Sequence, residues 1–160
     1  MRGADIKFWL KGRHTLGGFG AEEVSLAIRS AKADIFNAGT SRNHFRSGSP
    51  VCVVEMLARL QQKCPQRFQG GDESELPLFR KSDGSPLFRS EVQETIQEAA
   101  TRCGVPKERI ATHSLRIGGA SALLYAGYSI ALIQRFGRWA SIAFQSYLWE
   151  SSELSLIHIS

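Results

Sequence analysis

Thr112-His113-Ser114-Leu115-Arg116-Ile117-Gly118-Gly119-Ala120-Ser121 opens a helix expected from Ser114 to about Ala126, with Gly127 placed to end it. His113 and Arg116 lie three positions apart across that helix start, so both project from its first turn. The same turn presents unpaired backbone N–H groups and the positive end of the helix dipole, which suits a phosphate. Gly118 and Gly119 are costly inside a helix unless another backbone comes close. Taken alone, the stretch is better described by a capping His and a surface Arg beside a packing glycine pair.

Downstream, Ser129 is placed to cap a short helix from Ile130 to Phe136 closed by Gly137, and Ser141 to cap a last helix containing Ile142 to Trp149. Upstream, Ser90 and Gln93 have capping-box spacing for a helix that ends at Gly104. Before it, Val51, Val54, Leu57, Ala58 and Leu60 follow helical spacing, with Ser49 as the cap, Pro50 at the first helical position and Pro65 at the end. Gln66 to Pro77 is a polar loop, and Asp83-Gly84-Ser85-Pro86 is a turn by composition.

Toward the N-terminus the period shortens. Ile6 to Leu10 is a strand candidate, followed by a glycine-rich loop from Lys11 to Gly20. Glu23 to Arg29 alternates, so Val24, Leu26 and Ile28 share a face, and Thr40 to Phe45 is the return strand, with Lys32 near the turn between them. The expectation is a single α+β domain over residues 1–153, mainly helical with a small antiparallel sheet near its N-terminus.

The chain has 160 residues, of which 42% are hydrophobic, so it can bury a core without disulfides or metals. Twenty Lys and Arg against 15 Asp and Glu leave a net charge of +5, a weak pointer to a polyanion. Cys52, Cys64 and Cys103 are odd in number and lack CxxC spacing, which argues against a disulfide framework or a zinc cluster. No apolar run is long enough to span a membrane and no signal-peptide pattern opens the chain, so an intracellular protein is expected.

After His113 and Arg116 come Gly137-Arg138-Trp139 and then Ser141-Ile142-Ala143-Phe144-Gln145-Ser146-Tyr147. Trp139 follows Arg116 by 23 residues and Tyr147 follows Trp139 by eight. This order resembles the catalytic domain of the tyrosine recombinase, or phage integrase, family. The form Gly-Arg-Trp-x-Ser-x-x-Phe-x-x-Tyr is most similar to recombinases of eukaryotic DIRS-type retrotransposons and Crypton-like elements. Arg29-Ser30-Ala31-Lys32-Ala33-Asp34 resembles the hairpin segment that carries the family's catalytic lysine, with Lys32 the match.

The resemblance implies metal-free and cofactor-free transesterification on DNA. Tyr147 would attack a phosphate and form a 3′-phosphotyrosyl bond, which conserves the bond energy for religation. Arg116 would grip two phosphate oxygens with its planar fork. His113 would bond the same phosphate or relay the tyrosine proton, and Trp139, a donor only, could bond the phosphate but not act as a base. Lys32 would protonate the 5′-oxygen leaving group. Arg138 and Arg42 are further candidates for DNA contact. DNA is thus the expected partner, together with self-association on it, and a nuclear location is expected if the host is eukaryotic.

Two features depart from the family. Its first active-site arginine is matched only faintly, by Arg2 in Arg2-Gly3-Ala4-Asp5, and is expected to lie before Met1 in a longer protein. The tail of residues 154–160, Leu-Ser-Leu-Ile-His-Ile-Ser, resembles the translation of an adapter used in preparing DNA sequencing libraries and carries no functional weight. Because a phosphate-binding donor acts in the transition state, an alternative is a catalytically inactive DNA-binding remnant of a mobile element.

Overall fold

The computed structural model describes residues 1–29, 39–139 and 141–148, so Lys32 and its turn lie outside the described residues, as do Trp149 and the tail. The chain divides into two compact units, Met1–Leu87 and Phe88–Ser160. Among the described residues, four α-helices and one four-stranded antiparallel sheet make an α+β fold.

In the first unit, strands β1 (Ile6–Leu10), β2 (Arg13–Thr15), β3 (Glu23–Ile28) and β4 (Thr40–Phe45) pair in the order β2-β1-β3-β4. Strand β2 lies inside the stretch expected to be loop. It has only three residues and no alternation to betray it, but it pairs Trp9 with His14 and Phe8 with Thr15. The register sets Ile6 opposite Leu26 and Phe8 opposite Val24. With period-two side chains this gathers one apolar face, and helix α1 (Val53–Lys63) lies over it. Ile6, Phe8, Val24, Val54, Leu57, Ala58, Phe68 and Leu78 are buried together there.

The start of α1 differs from expectation. The residue before its first turn is Cys52 rather than Ser49, and Val51 is exposed outside the helix. Ser49 uses its hydroxyl in a local turn, accepting the Val51 N–H at 3.1 Å, so the Ser-Pro signal marks a turn ahead of the helix. Pro65 follows the helix end as expected.

A 3₁₀ turn, Gly3–Asp5, leads into β1, and Asp5 is buried. Burial acts to raise its carboxyl. The Arg2 N–H at 2.7 Å and the Arg29 guanidinium at 2.6 Å outweigh that and hold it below the usual carboxylate value.

The second unit holds α2 (Arg89–Arg102), α3 (Ser114–Tyr125), α4 (Ile130–Gly137) and a 3₁₀ turn, Ile142–Tyr147. Helix α2 starts two residues earlier than expected, with Phe88 rather than Ser90 ahead of its first turn. Its first turn is closed by Glu91, whose carboxylate accepts the Phe88 N–H at 2.9 Å, rather than by the Ser90–Gln93 pair. The last segment is 3₁₀ rather than α. Ala120, Ile133 and Phe144 form the buried centre of this unit, with Leu123, Leu124, Ile130, Trp139 and Leu148 against them.

No helix among the described residues is long and apolar enough to cross a membrane.

Candidate active site

Helix α3 is positioned from α2. Arg89 donates to the Thr112 hydroxyl at 3.2 Å, and the Gln97 amide donates to the carbonyls of Lys107 and Ile110 at 3.1 and 2.9 Å. Ser114 then accepts the Ala111 N–H at 3.0 Å, which closes the turn that starts α3. His113 is the residue before the helix and is exposed, one turn ahead of Arg116. Among the described residues, nothing stands within 4 Å of where a Cβ on Gly118 or Gly119 would be, so no close backbone approach is seen there among them.

Arg116 reaches the far end of α4. One guanidinium nitrogen donates to the Gly137 carbonyl at 2.5 Å, and the guanidinium carbon lies 4.6 Å from the centroid of the Trp139 ring. That is cation–π distance. Trp139 also stacks on Phe144, with centroids 4.7 Å apart and planes 16° from parallel. Gln134 fixes the Trp139 backbone at both polar atoms: its carbonyl accepts the Trp139 N–H at 3.1 Å, and its amide donates to the Trp139 carbonyl at 3.2 Å.

The Gly-Arg-Trp sequence explains this geometry, though not as the expected glycine cap. Helices α2 and α3 are each closed by a glycine at positive φ, Gly104 and Gly127. In α4 the left-handed position falls on Arg138, at φ 56°, and Gly137 is the last helical residue. The reason is the indole. A Cβ on Gly137 would stand 1.5 Å from Trp139 Cζ3, so only glycine leaves room for the ring.

Of the residues singled out from sequence, Arg116, Trp139 and Arg138 are brought together around the end of α4, with His113 on the same helix start as Arg116. Tyr147 ends the 3₁₀ turn that begins just after this cluster. Arg42 stands on β4 opposite Leu26, in the first unit. Arg2 donates to the Glu75 carboxylate at 2.8 Å, where Arg29 also bears on Asp5 and Glu75. Sequence reasoning gave no role to Gln134, to the Gly137 carbonyl or to Phe144. Phe144 was visible only as one member of the spaced string, since a lone aromatic reads as core.

An arginine fork beside an indole, ahead of a turn ending in tyrosine, offers planar N–H donors of the kind that can bind a phosphate ester. The family model described as "Phage integrase family" matches residues 39–149, and the chain belongs to that family of site-specific, DNA-binding tyrosine recombinases. The matched span contains Arg42, His113, Arg116, Arg138, Trp139 and Tyr147, whereas Arg2 and Lys32 precede it. No curated protein and no solved structure matches the chain.

Proposed function

We propose that this chain carries the strand-cleaving apparatus of a mobile-element recombinase, with Tyr147 as nucleophile. The observation that supports it most is Arg116. Its guanidinium is held by the Gly137 carbonyl and the Trp139 ring while its residue remains exposed.

In the proposed reaction the Tyr147 Oη–P bond forms as the P–O5′ bond breaks. The tyrosine proton passes to His113 or solvent, and Lys32 donates a proton to the departing 5′-oxygen. Arg116 binds the non-bridging oxygens as charge builds on them, and the Trp139 indole N–H adds a donor. Religation runs the same steps backwards. Arg138 and Arg42 contribute backbone contacts to DNA, self-association on DNA completes the assembly, and the eukaryotic mobile-element form of the motif points to the nucleus.

One observation favours a second reading, an inactive DNA-binding remnant. Arg2, which matches the family's first arginine only faintly, is already engaged by Glu75.

A nicked suicide duplex separates the two. The active reading expects a covalent protein–DNA adduct that disappears in Tyr147→Phe while DNA retention persists. Retention by the unsubstituted chain with no adduct would leave the remnant.

A further inference from the structure

We propose that Phe144 is a positioning residue for Arg116, acting through the Trp139 ring. The proposal rests on reading Arg116 as a phosphate-binding group. Phe144 is 1% exposed and lies nearly flat against the indole, while Trp139 is only half-buried. The ring that supports the Arg116 guanidinium therefore has Phe144 as its buried anchor.

Ile133 and Ala120 share the same buried centre, so burial alone does not set Phe144 apart. The distinguishing feature is the ring-on-ring contact, 16° from parallel, which an aliphatic side chain of similar volume would not reproduce. Without it the indole is free to tilt, and Arg116 loses the flat surface beneath its guanidinium. Held by the Gly137 carbonyl alone, the exposed Arg116 has then to be ordered further by the phosphate at the moment of binding, and that ordering weakens the complex.

Phe144 also belongs to the 3₁₀ turn Ile142–Tyr147. Three residues complete one 3₁₀ turn, so Phe144 stands one turn ahead of Tyr147 along the backbone. The contacts Arg116–Trp139–Phe144 thus run from the start of α3 to the segment that carries the tyrosine. Displacement at one end is felt at the other through two ring contacts.

The test uses the full chain with Phe144→Leu, Phe144→Tyr and, as a packing control, Ile133→Val. The first readout is the NMR resonance of the Arg116 Nε–H group, which the Trp139 ring current displaces in the unsubstituted chain. The displacement is expected to vanish in Phe144→Leu and to survive in Phe144→Tyr and Ile133→Val. Should Phe144→Leu lose its helical circular dichroism, Phe144→Met takes its place.

The second readout is affinity for a nicked duplex in a double-mutant cycle with Arg116→Ala. Arg116→Ala is expected to weaken binding about tenfold and Phe144→Leu about threefold, with the double variant no weaker than Arg116→Ala. A resonance that keeps its displacement in Phe144→Leu, or losses that simply multiply, would overturn the positioning role. A displacement lost in Phe144→Leu, with Arg116→Ala leaving affinity untouched, would uphold the positioning and sink the phosphate-binding reading instead.

Discussion

Adding one methyl group at Gly137 tests the geometry of the site without touching DNA. In Gly137→Ala the new Cβ would fall 1.5, 1.9 and 2.3 Å from Cζ3, Cε3 and Cη2 of Trp139, far inside contact distance. Gly137 ends α4, whose residues are otherwise helical, so alanine by itself would strengthen the helix by up to about 1 kcal/mol. Against that, the indole must leave its place. It gives up about 1 kcal/mol of stacking on Phe144 and about 0.5–1 kcal/mol of cation–π contact with Arg116. Repacking around the displaced ring adds about 1–3 kcal/mol. The clash wins, and the net expectation is a destabilisation of about 1.5–4 kcal/mol. Urea unfolding followed by far-UV circular dichroism measures it. The decisive comparison is the same substitution made in Trp139→Ala. There the obstacle is gone, only the propensity gain remains, and Gly137→Ala is expected to be neutral or stabilising by up to about 1 kcal/mol. Equal destabilisation in both backgrounds, or none in the first, would refute the reasoning.

Arg138→Gly relieves a left-handed residue and is expected to raise stability by about 1 kcal/mol in urea while reducing retention of duplex DNA; a loss of stability would contradict the cap assigned at φ 56°. Asp5→Asn removes the carboxylate that holds Arg29 and the Arg2 N–H, and is expected to cost about 2 kcal/mol near neutral pH. Because the folded carboxyl sits below its ordinary 3.8, this contribution is present above that value and fades as pH falls through the folded pKa. Urea midpoints of the wild type and Asp5→Asn should therefore converge in acid, and a gap that persists there would count against the pairing.

Strand β3 was legible because alternation is a strong signal in Val24, Leu26 and Ile28, and its pairing with β1 gathers the apolar face of Ile6, Phe8 and Val24. Strand β4 was legible only as the return after a turn-rich stretch. Strand β2 was not, since three residues between glycine-rich stretches show no period and are held by pairing with β1 alone. Two helix starts fall two or three residues from their expected places, where Ser49 and Ser90 offered caps that a local turn and Glu91 made unnecessary. In the site, Arg116 and Trp139 were legible from chain order, but their contact was not. Twenty-three residues of sequence say nothing about an indole facing a guanidinium. Phe144 escaped for the opposite reason, because a buried aromatic needs no function to explain it.

The end of α4 is where local preference and the site disagree, and the outcome ranks them. A helix of ordinary composition would place its glycine at the left-handed position, as Gly104 and Gly127 do. Here the glycine stands one residue earlier and an arginine takes the left-handed conformation, at a cost of about 1 kcal/mol. Exchanging the two residues would relax the cap, but it would put a Cβ at 137 into the Trp139 ring. The arrangement therefore keeps the indole in place at the expense of the helix end. The indole matters there because it stacks on Phe144, carries Arg116 on its surface and has its own backbone pinned by Gln134. At this helix end a single ring overrides the usual capping preference, beside the arginine that it carries.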